Sequence, residues 1–219
     1  MDQTTERLTR TIWIGVGLII VILCVAYVLS QLKPRRTTHP KLPVISQVAD
    51  FTLTNQAGQS VTLADLRGKV WVADIIFTRC TGPCPRMTKQ MHSLQDALAS
   101  DANVRLVTLT TDPEFDTPEV LKKYPERLGL KAGERWIFLT GSKKEIAKLA
   151  VDGLKLSAVE KQPDERSDAA DLFIHSTMFV VVDKQARLRA FFETGGEGVE
   201  WTKVQPEILA AVRQLEREP

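Results

Sequence analysis

A nearly unbroken apolar run that leads directly into two cysteines constrains the fold more than any other part of this sequence. The run, residues 70–78 (VWVADIIFT), is rich in β-branched side chains, which is typical of a strand covered on both faces. Cys80 and Cys84 follow it, and Pro85 opens a segment with helical spacing of apolar residues. Because sites in open α/β sheets form at the carboxyl ends of strands, the sequence predicts a functional site where this strand runs into the helix.

The spacing of the two cysteines is compatible with two kinds of chemistry. In a regular helix, residues four positions apart have Cβ atoms about 5–6 Å apart, which suits a shared metal better than a disulfide. Gly82 and Pro83 loosen that geometry, so a disulfide is also compatible with the sequence. Unpaired N–H groups and the helix dipole favour negative charge at a helix start, so we expect Cys80 and Cys84 to be exposed thiols with lowered pKa values.

Composition narrows the class of protein. The 219 residues, 43% of them hydrophobic and 26% charged, suffice for one globular domain with an appendage. A net charge of +2 without a long basic run gives no basis for nucleic-acid binding, and we expect none. Three cysteines are too few for a disulfide framework in a chain of this length. The fold must therefore be held by its core, and the cysteine pair needs a chemical explanation.

Residues 11–32 carry no charged side chain and are mostly Ile, Val and Leu, which predicts a single transmembrane anchor. A cleaved signal peptide is the alternative, but the run is too long and no small-x-small site follows it. Cys24 lies inside the run without the preceding small residue of a lipoprotein signal, so we expect a buried apolar side chain. The predicted organisation is a tail at 1–10, an anchor at 11–32, a Pro-rich linker at 33–46 and a domain at 47–219.

The domain reads as an alternation of strands and helices. Further strands are predicted at residues 104–111, 135–140, 178–182 and 188–192, and further helices after a cap at Asp116 or Thr117, at 142–150 and at 199–216. In the helix after Cys84, Met87 and Met91 share the apolar face and are predicted to be core, whereas His92 is predicted at the surface. Residues 153–172 are polar, with too few apolar side chains to pack against the domain.

The order of these elements resembles a thioredoxin-like domain, an α/β fold with a mixed sheet flanked by helices, over roughly residues 44–217. Three motifs carry a more specific resemblance: Cys-x3-Cys-Pro ending at Pro85, the stretch DPEFDTPE at residues 112–119, and His175 just before an apolar strand. Together with the anchor they resemble the Sco/SenC family. Members of that family are copper chaperones or thiol redox proteins that help to assemble the copper centre of cytochrome c oxidase.

The resemblance implies a set of site residues. The metal ligands of the family fall on Cys80, Cys84 and His175, and its acidic residue near the site falls on Asp112. Members commonly have Asp immediately before the histidine, where this chain has Ile174, so the second shell of the metal differs. Two thiolates and an imidazole suit Cu(I), and with a carboxylate or water they can hold Cu(II). Zinc is the second choice of metal, because it would need a fourth ligand.

The expected function is that of a membrane-anchored chaperone that delivers copper to the oxidase copper centre, prepares the cysteines of that centre by redox chemistry, or does both. The expected partners are the copper-centre subunit of cytochrome c oxidase or another copper chaperone. Positive charges are denser after the span than before it, which by charge alone would place the domain in the cytoplasm. The resemblance instead implies an extracytoplasmic domain, in the periplasm, at the cell exterior or in the mitochondrial intermembrane space, and we expect that orientation.

Two other functions are compatible with the sequence. A thiol-disulfide oxidoreductase or peroxiredoxin-like enzyme on the same fold would usually carry Cys-x2-Cys or a lone peroxidatic cysteine. It would also usually carry a cis-proline facing the cysteines, where this chain has Ser176 and Thr177. An anchored module that acts by docking to an assembly partner is the third class, and this role can coexist with copper transfer.

Overall fold

The computed structural model describes residues 3–32, 41–156, 162, 164, 176–196 and 198–219, with side chains in the first range only for residues 12–27. The chain divides into two compact units, Met1–Lys41 and Leu42–Pro219. The predicted Pro-rich linker lies mostly outside the described residues, and the second unit begins near its end.

The first unit contains one described helix, α1, at Gln3–Leu32. Among the described residues, no helix satisfies both the length and the apolarity that crossing a membrane requires. The anchor predicted at residues 11–32 stays a prediction. Cys24 is exposed on α1, and its expected burial within the predicted anchor stays a prediction together with the anchor.

The second unit is built on one eight-stranded mixed sheet with helices on both faces, so the predicted α/β class is confirmed. Its strands are β1 Ser46–Gln47, β2 Thr52–Asn55, β3 Ser60–Thr62, β4 Val70–Ile76, β5 Val104–Thr110, β6 Trp136–Thr140, β7 Met178–Val182 and β8 Arg187–Glu193. Its helices are α2 Leu63–Leu66, α3 Cys84–Ala97, α4 Pro118–Arg127, α5 Lys143–Ala147, continued by a π-helical segment Lys148–Gly153, and α6 Trp201–Arg217.

The strand order is β1-β8-β7-β4-β5-β6-β2-β3. Strands β4, β5 and β6 are parallel, and β4 is buried along its whole length between β5 and β7. Strand β7 runs antiparallel to β4. The start of β7 therefore lies at the same edge of the sheet as the end of β4, which is the edge where the cysteine segment follows.

Each face of the sheet carries its own core cluster. Helices α3, α4 and α6 cover one face with side chains that recur every three to four residues, as an amphipathic helix requires. Met87 and Met91 are fully buried in this cluster, which confirms their prediction as core. The other face is covered by α2, α5 and the π-helical segment.

The structure differs from two local predictions, which concern His92 and the segment 153–172. His92 is half-buried, since its ring lies against the buried Trp136 with 6.4 Å between the ring centroids, and its Nδ1 lies 3.4 Å from Oδ2 of Asp96 one helical turn away. The segment predicted to be unpacked begins with Leu154 and Leu156, both buried in the second core cluster. Most of the remainder of that segment lies outside the described residues.

Candidate functional site

Residues 77–83, called here the cysteine turn, join β4 to α3 at the carboxyl edge of the sheet, as predicted. The backbone turns at once after the strand, and the N–H of Cys80 donates to the carbonyl of Phe77 at 3.2 Å. Pro83 is the N-cap of α3, Cys84 is its first residue and Pro85 follows. Proline suits these positions, since its φ is already helical and the first helical N–H groups have no partner within the helix. Cys80 therefore precedes the helix and Cys84 opens it.

The two cysteines are free thiols in contact with each other. Cys80 and Cys84 are 5% and 3% exposed, so the expectation of an exposed pair is wrong. A hydrogen bond joins the Cys84 thiol to the Cys80 sulfur; this bond, burial and the charge of a neighbouring thiolate raise the pKa of Cys84. The prediction of a lowered pKa is therefore wrong for Cys84. A helix terminus contributes only about 0.3–1 kcal/mol in favour of a charge, which is less than burial beside a second sulfur costs.

A buried carboxyl group lies in the strand that leads to the cysteines. Asp74 is fully buried in β4, and its Oδ1 accepts a hydrogen bond of 2.7 Å from the hydroxyl of Thr108. Its Oδ2 has no hydrogen-bond partner among the described residues. Burial raises the pKa of Asp74 to about 7, and its charge raises the pKa of Cys84 further. Asp74 was missed as a site residue, although it is the one charged side chain within an otherwise apolar run.

Asp112 lies beside the cysteine turn without touching the cysteines in any described contact. Its Oδ2 accepts from Arg79, with Nε at 3.1 Å and Nη2 closer. The Arg79 guanidinium also lies 4.3 Å from the ring centroid of Phe115. Asp112 thus contacts Arg79, the residue immediately before Cys80, and no sequence pattern predicted this neighbour.

Asp116 is a second carboxylate at this edge, and the sequence predicted it only as a candidate helix cap. Thr117 supplies the cap of α4, since its hydroxyl accepts from the N–H of Val120. Asp116 is instead fully buried and accepts hydrogen bonds from the backbone and hydroxyl of Thr78 and from the hydroxyl of Thr110. Burial raises the pKa of Asp116, and the hydrogen bonds from both threonines oppose that shift.

His175 and Ile174 lie outside the described residues, so the predicted third ligand stays a prediction. Within the part of the chain that the structure describes, no group of three or more His, Cys, Asp or Glu side chains could hold a metal. The peptide bonds of the described residues contain no cis linkage, including those that join Ser176, Thr177 and β7. The described geometry brings together Cys80 and Cys84, a pair that can form a disulfide or bind a soft metal ion.

Comparison with known proteins gives a consistent result. A model of the SCO1/SenC family matches residues 42–207. The chain is 39% identical over 150 residues to a SCO1 protein homolog of Bacillus subtilis (strain 168), a match that covers 68% of this chain and 74% of that protein.

Solved structures agree with this match. BsSco, a member of the Sco family of cytochrome c oxidase assembly proteins in which a disulfide switch was identified, has a TM-score of 0.67 at 33% identity, covering 82% of this chain and 99% of that chain. Bradyrhizobium japonicum ScoI with copper bound has a TM-score of 0.62 at 24% identity, covering 78% of this chain and 99% of that chain. The second likeness is one of fold.

Proposed function

The chain belongs to the SCO1/SenC family, and on that premise we propose that it is a membrane-anchored copper chaperone and thiol redox protein for assembly of cytochrome c oxidase. The observation that carries the proposal is the contact between the Cys80 and Cys84 thiols at the carboxyl edge of the sheet. Its partner would be the copper-centre subunit of the oxidase or another copper chaperone. Copper is the cargo in this proposal.

The donor set fits copper in its soft, low-coordinate form. Two adjacent thiolates can bind Cu(I) nearly linearly, and Cu(II) would require further nitrogen or oxygen donors. We propose His175 as the third ligand, and the position of β7 supports this, since its first residues lie at the edge where β4 ends. Asp112 is proposed as an acid near the metal that acts through Arg79.

Burial of the pair indicates that copper binding must itself displace the thiol proton. Because the hydrogen bond to Cys80 and burial raise the pKa of Cys84, Cys84 keeps its proton at neutral pH until a metal displaces it, and metal binding then releases that proton to solvent. A protonated Cys84 thiol is a poorer nucleophile than a thiolate, so Cys84 reacts slowly until copper or a partner removes its proton.

We expect copper to bind only after reduction of the pair, since a Cys80–Cys84 disulfide offers no thiolate. Anaerobic titration of the full-length Cys24→Ser protein in detergent with Cu(I), against a chromogenic competitor, should give one tight site in the reduced form and none in the oxidised form. Thiol counting before and after the titration confirms the state of the pair, because Cys24 no longer contributes. Equal uptake by both forms would contradict the proposal.

A thiol-disulfide oxidoreductase that works without copper is the second candidate, and the mutual hydrogen bond of the two thiols favours it. The same titration separates the two functions. A reductase would pass electrons from its dithiol to a partner disulfide and would show no tight Cu(I) site. A copper chaperone would show that site and would keep both thiols during the titration.

We further propose that residues 11–32 anchor the chain and that the domain lies outside the cytoplasm. Their uncharged apolar composition supports the anchor, and family membership supports the orientation against the local charge count. Protease added to cells whose outer barrier alone has been opened should digest the domain, while a cytoplasmic marker protein stays intact. Protection of the domain under those conditions would reverse the proposed orientation.

A further inference from the structure

Two carboxylates from one loop hold the two residues that precede Cys80. The loop, residues 112–116 and called here the carboxylate loop, follows β5 at the edge of the sheet. Asp112 binds the Arg79 side chain, and Asp116 binds the backbone and hydroxyl of Thr78. The cysteine turn is therefore fastened to the carboxylate loop at two successive residues.

Of the two contacts, the one made by Asp116 is the more buried and holds its partner more firmly. Its carboxylate is fully buried, whereas the Arg79 side chain is 42% exposed. Both oxygens are used: Oδ1 accepts from the Thr78 hydroxyl, and Oδ2 accepts from the Thr78 N–H at 3.1 Å and from the Thr110 hydroxyl. A carboxylate accepts at both oxygens, whereas an amide accepts at one only. An asparagine at this position would therefore lose at least one of these three hydrogen bonds.

The carboxylate loop is itself fixed to the sheet. The Thr110 hydroxyl, in β5, accepts from the N–H of Asp112 at 3.0 Å, and the Asp116 N–H donates to the carbonyl of Asp112 at 2.8 Å. Strand β5 is hydrogen-bonded to β4 on one side and β6 on the other. Asp116 thus joins the cysteine turn to a part of the fold that does not move easily.

We propose that Asp116 is a positioning residue for the Cys80/Cys84 pair: through Thr78 it fixes the turn that carries Cys80, and so it sets the equilibrium between the dithiol and the disulfide. The inference deepens the proposed redox role and rests on it. Asp116 contacts neither sulfur in any described interaction, so its effect is transmitted through the backbone between Thr78 and Cys80.

The reaction to be measured is the oxidation of the pair by oxidised glutathione. Both Cys80 and Cys84 lose a proton and the pair loses two electrons as their sulfur–sulfur bond forms; the glutathione disulfide breaks and takes up those electrons and protons as two thiols. Bond formation draws the sulfurs to about 2.05 Å. Cys84 is fixed at the start of α3, whose Met87 and Met91 are fully buried. The Cys80 turn must therefore yield, and the Asp116 contact opposes that movement.

The test removes the hydroxyl of Thr78 and keeps the rest of the side chain. In full-length Cys24→Ser protein, Thr78→Val should shift the equilibrium constant with glutathione about tenfold toward the disulfide, equivalent to about 30 mV in reduction potential. Thr78→Ser keeps the hydroxyl and should stay within about twofold of the parent protein. Ser46→Ala, which loses a 2.7 Å hydrogen bond to the Gly153 carbonyl on another part of the sheet, is the control for stability alone.

The outcomes separate positioning from simple stability. A lowered melting temperature in Thr78→Val with an unchanged equilibrium constant would overturn the inference, as would an equal shift in Ser46→Ala. Thr110→Val gives a second route if Thr78→Val does not fold, because it lies outside the cysteine turn and removes another donor to Asp116, together with the acceptor of the Asp112 N–H in the carboxylate loop. It should shift the constant in the same direction by about threefold, and no shift would overturn the inference. Absence of any disulfide in the parent protein would instead overturn the redox half of the proposed function.

Discussion

Replacing Cys84 by Ser should weaken Cu(I) binding by more than about a hundredfold, since even the loss of an outer-shell partner costs a metal site about 10–100-fold. Serine has nearly the shape of cysteine but supplies a hard oxygen in place of a soft sulfur, which Cu(I) does not favour. Cys84 is 3% exposed and lies at the first position of α3. Competition for Cu(I) in the reduced Cys24→Ser background measures the effect directly.

His175→Ala is the matched variant for this experiment, because it removes a nitrogen donor and leaves both sulfurs. Two thiolates still satisfy linear Cu(I), so its Cu(I) affinity should change little, whereas Cu(II) binding and the Cu(II) spectrum should be strongly altered. Cys84→Ser should damage binding of both oxidation states. An unchanged Cu(II) spectrum in His175→Ala would reduce the proposed site to the two cysteines, and unchanged Cu(I) affinity in Cys84→Ser would refute the site itself.

The sheet and its edge were readable from the sequence because they depend on local pattern. A continuous apolar, β-branched run predicted β4, and a methionine and leucine stripe at helical spacing predicted the buried face of α3. The same patterns placed the cysteines between these two elements. The identity of the metal and of a third ligand came instead from family resemblance, since neither periodicity nor spacing specifies them.

Burial of the cysteine pair could not be read from the sequence, because the covering residues are distant along the chain. Phe77 and Met87 are local, but Tyr124 reaches the same cluster from α4. The helix start alone suggested exposed thiols with lowered pKa values. The hydrogen bond to Cys80 and, after it, the exclusion of water by the covering side chains act in the opposite direction on the pKa of Cys84, and together they are the larger effect.

The role of Asp116 was hidden for a similar reason. A sequence ending in Asp-Thr-Pro offers two candidates for the cap of α4, and either Asp116 or Thr117 satisfies the local rule. Which of the two residues caps α4 depends on Thr78, which is 38 positions away from Asp116 along the chain and provides it with a buried partner. Thr117 then takes the cap. Long-range hydrogen bonding therefore decided what local preference left open.

The largest effect on stability is expected at Asp74. Burial raises its pKa to about 7 in the folded protein, from the ordinary value of 3.8 that a solvent-exposed carboxyl group has in the unfolded chain. Between these two pH values the folded state holds a proton that the unfolded state has lost, so folding takes up a proton and rising pH favours unfolding. The contribution of Asp74 to the free energy of unfolding should therefore be largest below about pH 4. It should fall as the pH rises from about 4 to about 7, by about 4 kcal/mol in total.

Asp74→Asn should remove this dependence, because the amide does not titrate and its oxygen can still accept from the Thr108 hydroxyl. Relative to the parent protein, the variant should gain about 2–3 kcal/mol in free energy of unfolding between pH 5 and pH 8, measured by denaturant titration under reducing conditions. Asp50→Asn is the control, since that side chain is 90% exposed and should leave the pH profile unchanged. Parallel pH profiles for Asp74→Asn and the parent would mean that Asp74 is ionised in the folded protein between pH 5 and pH 8, and would contradict its raised pKa.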